Sequence, residues 1–292
     1  MRIDRGMHLR ALPGLLLVLA LPWSCDSLFP WWPSNTDPSQ RSLKVNLQVD
    51  AEQEDGTTGI TNIVDELKRR GINATIYVTG DYANSHALLI EQFYSDGFEI
   101  AFHGKSTGEQ LATMTADEQR TLLTNARQAV EGCQSCGTGK PVTGFRPQYF
   151  SQNEDTYTIL DELGIAYDSG FKAGLLSIPG HENDAAPYAV TGHSFYAVPI
   201  STATLNDRRL YLCDVASVQS EHMTGQQWSD LLQAGLQEAV ADNQPLVVLV
   251  HGWVTGNRDQ YDYWQPFVSL LDEIQNQADF VTTQELVDLY RQ

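Results

Sequence analysis

From residue 43 onward the chain switches repeatedly between two hydrophobic periods, and this alternation limits its fold more than any other feature. Short apolar runs read as strands: LKVNLQV at 43–49, NATIYVTG at 73–80, FEIAFH at 98–103, TGFRPQYF at 143–150, IAYDSG at 165–170 and PLVVLVHG at 245–252. Between them lie amphipathic helices at 61–70, 86–97, 114–132, 153–163, 224–241 and 264–276, and DFVTTQELVDLYR closes the unit. Thr115 with Glu118 three residues on has the spacing of a capping box. The stretch 171–221 is less regular. Strand-helix alternation over some 250 residues implies a parallel sheet with helices outside. No glycine-rich phosphate loop follows the first strand, so nucleotide-binding folds lose support and a (β/α) barrel gains it. Functional groups of such barrels gather at the C-terminal ends of strands. Asp50, His103, Arg146, Asp168 and His251 occupy those positions here.

The remaining sequence sets boundaries. A formal charge of −19 argues against a nucleic-acid partner and against an anionic membrane surface. Arg2, Arg5 and Arg10 precede a short apolar run, Ala11 to Trp23, that fits an export signal better than a membrane span. LPWSC resembles a bacterial lipoprotein signal, in which Cys25 would carry lipid. The expected organisation is a signal at 1–25, a proline-rich tether at 26–40 and one barrel domain at 41–292. The expected location is extracytoplasmic, either membrane-anchored or secreted (periplasmic included). In an oxidising compartment, Cys133 and Cys136 of CQSCG read as a local disulfide, and Cys213 as a buried thiol.

The ordered set QVDAE, IAFHGKST, GFRPQYF, YDSG and LVVLVHG resembles the polysaccharide deacetylase domain, a carbohydrate esterase related to nodulation-factor deacetylases. The resemblance covers roughly residues 43–290, with ATIYVTGDYA and DFVTTQEL as connecting segments. It implies a distorted (β/α) barrel of about seven parallel strands. It also implies a divalent metal, often Zn2+, with Co2+, Ni2+ or Mn2+ as alternatives. The implied reaction is removal of acetyl groups from a polysaccharide or oligosaccharide, N-acetyl ahead of O-acetyl. The resemblance would make the chain a hydrolase of carbon-nitrogen bonds other than peptide bonds. By the same resemblance Asp50 is the catalytic base, Arg146 orients it and His251 is the acid; Asp168 in YDSG is placed to hold the other nitrogen of His251 and raise its pKa. Glu52, His103 and residue 107 would hold the metal.

Two departures stand out. The family's His-x-x-x-His motif ends here in Thr107, a far weaker zinc ligand than imidazole. Where many members carry adjacent aspartates, Ala51 takes the second place, and Glu52 resembles the acid that some members place two residues after the base. An alternative register makes Asp50 the ligand and leaves Gln48 in the base position. Glu109, Asp55, His181 or His193 could supply a missing ligand. The departures keep open a second reading, a non-catalytic carbohydrate-binding protein on the same fold. Tyr149, Phe150, Tyr167 and Trp253 are candidates for a sugar cleft. A two-carboxylate glycosidase would leave His103, Arg146 and His251 without work, and no Gly-x-Ser-x-Gly nucleophile elbow is present.

Overall fold

The computed structural model describes residues 43–52, 57–132 and 141–291. The chain runs β1 (Leu43–Ala51), α1 (Thr58–Arg70), β2 (Thr75–Val78), α2 (Gly80–Ser85), α3 (Ala87–Ser95), β3 (Glu99–Phe102), α4 (Ala116–Glu131), β4 (Gly144–Phe145), α5 (Glu154–Glu162) and β5 (Tyr167–Lys172). It continues with β6 (Tyr188–Ala189), β7 (Tyr196–Ile200), β8 (Thr202–Leu205), β9 (Arg208–Tyr211), α6 (Gly225–Ala241), β10 (Leu246–His251), α7 (Trp264–Ile274), β11 (Ala278–Phe280) and α8 (Thr283–Tyr290). The export signal, Cys25, the tether, Asp55 and the Cys133–Cys136 pair lie outside the described residues. Among those described, no helix is long and apolar enough to cross a membrane.

Strands β10, β1, β2, β3, β4, β5 and β7 pair in that order, every pair parallel, as a curled seven-stranded sheet. The edges of this curl meet through segment 211–213: Leu212 N–H donates to Ser201 O (2.9 Å) and Leu249 N–H to Leu212 O (2.9 Å). The expected distorted barrel is therefore present. Its seventh strand, β7, lies inside the stretch that reads as irregular in sequence. TGFRPQYF contributes only Gly144 and Phe145 to the sheet. Pro147 has no N–H to continue the ladder, and Gln148–Phe150 turn away in a 3₁₀ turn. The capping box at Thr115 and Glu118 is formed.

Strand β1 shows how the barrel sorts its side chains. Leu43, Val45, Leu47, Val49 and Ala51 are buried on one face. Asn46, Gln48 and Asp50, on the other, are buried among polar partners from β5, α8 and Arg146 just after β4. Gln48 donates to Asn46 and Thr283, and accepts from Ser169 and Arg146. Thr283, at the start of α8, also bonds Thr75 and Tyr77. The other half of the lumen is apolar, built from Val198, Ile200, Val247 and Leu249 with Leu286 and Val287 of α8.

The loop after β10 lies directly on α1. A Cβ on Gly59 would sit 2.2 Å from the carbonyl oxygen of Gly252, and one on Gly256 would sit 2.1 Å from that of Gly59. Only hydrogen at both positions permits this backbone-on-backbone contact. Gly59→Ala should destabilise the protein by about 1–3 kcal/mol, the usual effect of overpacking. Denaturant unfolding with an unchanged m-value would show it, and wild-type stability would refute the contact.

Candidate active site

Asp50 is the penultimate residue of β1 and pairs in register with His251 at the end of β10. It is 2% exposed. One carboxylate oxygen, Oδ1, lies 3.0 Å from Arg146 Nε. The other, Oδ2, lies 3.4 Å from His103 Nε2 and 3.6 Å from His251 Nε2. Arg146 follows directly on β4. Its guanidinium packs 4.0 Å over the Tyr77 ring and donates to Gln48 Oε1. Gln48 is thus a buried support beneath Asp50.

His103 follows β3 and is fixed by two contacts. Its Nδ1 is 2.9 Å from the carbonyl of Arg146, an acceptor, so Nδ1 carries the hydrogen. Its Nε2 faces Glu52 Oε1 at 3.1 Å as well as Asp50. Burial alone would lower the pKa of this ring, but the two carboxylates raise it. Burial would likewise raise Glu52, yet His103, with His251 and Arg146 behind it, holds it below the usual carboxylate range. The Nε2 of His103 and one oxygen each of Asp50 and Glu52 converge here, an arrangement that a ring proton or a cation would hold together. The donor set of nitrogen and carboxylate oxygen fits a divalent metal.

Thr107 lies in the wall of the same cavity as Asp50, Glu52 and His103. Glu109 does not supply the missing ligand. Its oxygens accept from the Lys105 and Ser106 N–H groups at 2.9 and 2.7 Å. It also fills the space where a Cβ on Gly104 would stand, 2.4 Å from Oε2. Releasing Glu109 would dismantle the loop that carries Thr107. His181 is held by Asp184 and stacked on Tyr188, while His193 bridges Asp161 and Glu154. Neither reaches the cavity.

The expected Asp168–His251 contact is absent, and Asp214 takes that place. Asp214 Oδ1 accepts from His251 Nδ1 at 2.7 Å, and Oδ2 accepts from the backbone N–H of His251 at 2.8 Å and from Thr255 Oγ1 at 2.7 Å. Asp168 is fully buried and accepts instead from Gly170 N–H at 2.8 Å. Burial raises its carboxyl to about 7. The reason is positional. Asp168 is the second residue of β5, and successive strand side chains face opposite ways, so Ser169 points to Gln48 in the lumen and Asp168 does not, while Lys172 at the strand end lines the cavity. Asp214 could not be singled out from sequence, because it lies in the irregular stretch with no strand-end pattern before it. Burial would lower the pKa of His251, but Asp214, with Asp50 and Glu52, raises it to about 10.

These groups open onto a cavity of about 430 Å³, whose wall also includes Tyr149, Phe150, Lys172, Tyr211, Cys213 and Trp253. Tyr167 is not among them. It is fully buried and bonds Glu99 at 2.7 Å. Cys213 is a buried free thiol, as expected.

Residues 40–167 match the polysaccharide deacetylase family. A peptidoglycan deacetylase-like protein of Gibberella zeae is 26% identical over 129 residues, which are 44% of this chain and 35% of that relative. The match thus spans about a third of the relative's length. A candidate polysaccharide deacetylase from Mycobacterium smegmatis has a similar solved structure (TM-score 0.69, 19% identity, 86% of this chain and 91% of that one). So do Puue allantoinase (0.70, 15%, 93% and 98%) and a carbohydrate esterase family 4 pseudoenzyme from Bacillus anthracis (0.52, 14%, 85% and 66%). At these identities what is shared is the fold. Residues 40–167 thus match the polysaccharide deacetylase family over somewhat less than half of the chain, and the fold of these solved structures is shared over most of it.

Proposed function

We propose that the protein is a metal-dependent hydrolase that removes acetyl groups from a glycan, N-acetyl in preference to O-acetyl. One observation carries the reading: Asp50 is gripped by Arg146 on one oxygen while the other faces both His103 and His251. Glu52 and His103 would hold the cation, with Thr107 beside them, and Zn2+ is the metal that this donor set suits. A bound divalent cation would polarise the acetyl carbonyl and lower the pKa of water beside it. Asp50 Oδ2 takes the proton of the attacking water as its oxygen bonds to the acetyl carbon. His251, charged at neutral pH, gives its Nε2 proton to the departing sugar nitrogen as the C–N bond breaks. Acetate and the free amine leave. Asp214 keeps His251 oriented and charged.

Thr107 supports a second reading, a carbohydrate-binding protein without turnover. The Bacillus anthracis pseudoenzyme has a similar fold. Acetate release from acetylated oligosaccharides, assayed with and without Zn2+, Co2+, Ni2+ or Mn2+, separates the two. Release that persists after verified metal removal would refute the metal mechanism, and no release with any metal would favour the second reading.

The roles of the two carboxylates separate by metal content. Glu52→Gln should weaken Zn2+ binding by well over tenfold, since loss of an outer partner alone typically costs about 10–100-fold. Asp50→Asn should keep the metal and lose about 10²–10⁴-fold in turnover. Equal metal loss in both variants would make Asp50 a ligand. Thr107→His adds an imidazole four residues after His103 and should tighten metal binding in a chelator competition. Unchanged binding in the folded variant would mean that residue 107 does not face the metal.

Asp214→Asn removes the charge that raises His251. Because the protonated ring is the active form, lowering its pKa should move the alkaline limb of the pH–rate profile to lower pH. Turnover at neutral pH should fall by about 10²–10⁴-fold. An unshifted alkaline limb would show that His251 is not the acid.

A further inference from the structure

Lys172, the last residue of β5, has no part in the chemistry just described. Its Nζ sits 4.1 Å from the ring centre of Phe150 and 4.1 Å from that of Tyr211. The two rings meet edge to face, 5.6 Å apart at 85°. All three side chains line the cavity that holds Asp50, Glu52, His103 and His251. Aromatic faces stabilise an ammonium, but they do not accept its hydrogens as an oxygen does. No carboxylate among the described residues pairs with Lys172. Arg146, the other permanent cation of the wall, is taken by Asp50. Cys213 offers no counter-charge, because burial raises its thiol far above neutrality. Burial also lowers the pKa of Lys172 itself. In a chain of net charge −19, a half-buried ammonium in the cavity wall without a carboxylate is a costly thing to keep.

The backbone supports the same arrangement. Tyr149 and Phe150 both adopt positive φ, 54° and 57°, a conformation that residues with a Cβ avoid. Such strain persists where the surroundings over-determine it, and it gathers at ligand-contact sites. Here the turn presents Phe150 to the Lys172 ammonium.

We propose that Lys172, clamped between Phe150 and Tyr211, is a specificity-determining residue that binds a carboxylate carried by the glycan, and that the preferred substrate is an acidic, carboxylate-bearing acetylated saccharide. The inference rests on the deacetylase reading for its substrate class. A single ammonium between two ring faces suits a singly charged, planar anion. Sulfate or phosphate recognition would call for several convergent donors or an Arg fork, which this wall lacks apart from the committed Arg146.

The test uses the full chain and three tetramers of N-acetylglucosamine: neutral, oxidised at one C6 to the uronic acid, and sulfated at one C6. Binding is read by calorimetry for wild type, Lys172→Met and Lys172→Arg. Met keeps the length and apolar packing between the rings, and circular dichroism confirms folding. Wild type should bind the oxidised tetramer about tenfold more tightly than the neutral one, the scale of one charge-assisted hydrogen bond. K172M should lose that difference while binding the neutral tetramer within about twofold of wild type, and K172R should retain it. The proposal is overturned if wild type binds neither tetramer or both equally, if K172M weakens both alike, or if the sulfated tetramer is preferred. Acetate release measured in parallel tests the enzymatic reading separately. Charge preference without release removes the enzyme and leaves the subsite, while release without charge preference removes the subsite alone.

Discussion

The guanidinium of Arg146 is 1% exposed, so its charge must be answered from inside the protein, and the interior of this barrel is organised around it. Asp50 supplies the opposite charge, Gln48 an acceptor, and Tyr77 a ring face. Gln48 is tied in turn to Asn46, Ser169 and Thr283, so the contact continues down to α8 at the far end of the lumen. Removing one partner of such a buried pair typically costs about 3–5 kcal/mol, because the other charge is left stranded. Asp50 is therefore placed by the fold as a whole. A carboxylate held in one pose before substrate arrives is what proton abstraction requires.

The two histidines at the cavity are anchored differently. His103 donates its Nδ1 hydrogen to a carbonyl, which fixes the tautomer without adding charge. His251 gives its Nδ1 hydrogen to the carboxylate of Asp214, which favours the imidazolium. The first arrangement suits a ligand nitrogen and the second a proton donor. Two rings that look alike at two strand ends thus differ in chemistry through what stands behind them.

How much of this was legible in the sequence depended on whether the signal was local. The runs ending at Asp50, His103 and His251 carry strand periodicity up to the functional residue, so their convergence follows from barrel geometry alone. Asp214 follows a short hairpin and a π-helical turn follows it, so no periodicity marks it. Asp168 reads as a strand-end acid, but β5 runs on to Lys172, so Asp168 sits near the strand's start on the face opposite Ser169, and the local pattern does not say where the strand stops. The strand β7 was hidden for a related reason: its neighbours β6, β8 and β9 are too short and irregular to frame it. Lys172 fell two residues beyond the YDSG motif, where no local pattern marked it.

Asp168 has a thermodynamic consequence outside the cavity. Its carboxyl is raised by burial to about 7 from an ordinary 3.8. Between those values the folded chain holds a proton that the unfolded chain has released. Its effect on stability is therefore most favourable below pH 4. It declines as pH rises through that window, by on the order of 4 kcal/mol in the limit, and is flat above it. Folding near pH 5.5 is thus proton uptake as much as collapse, and the enthalpy of unfolding measured there will depend on the heat of ionisation of the buffer that receives the proton.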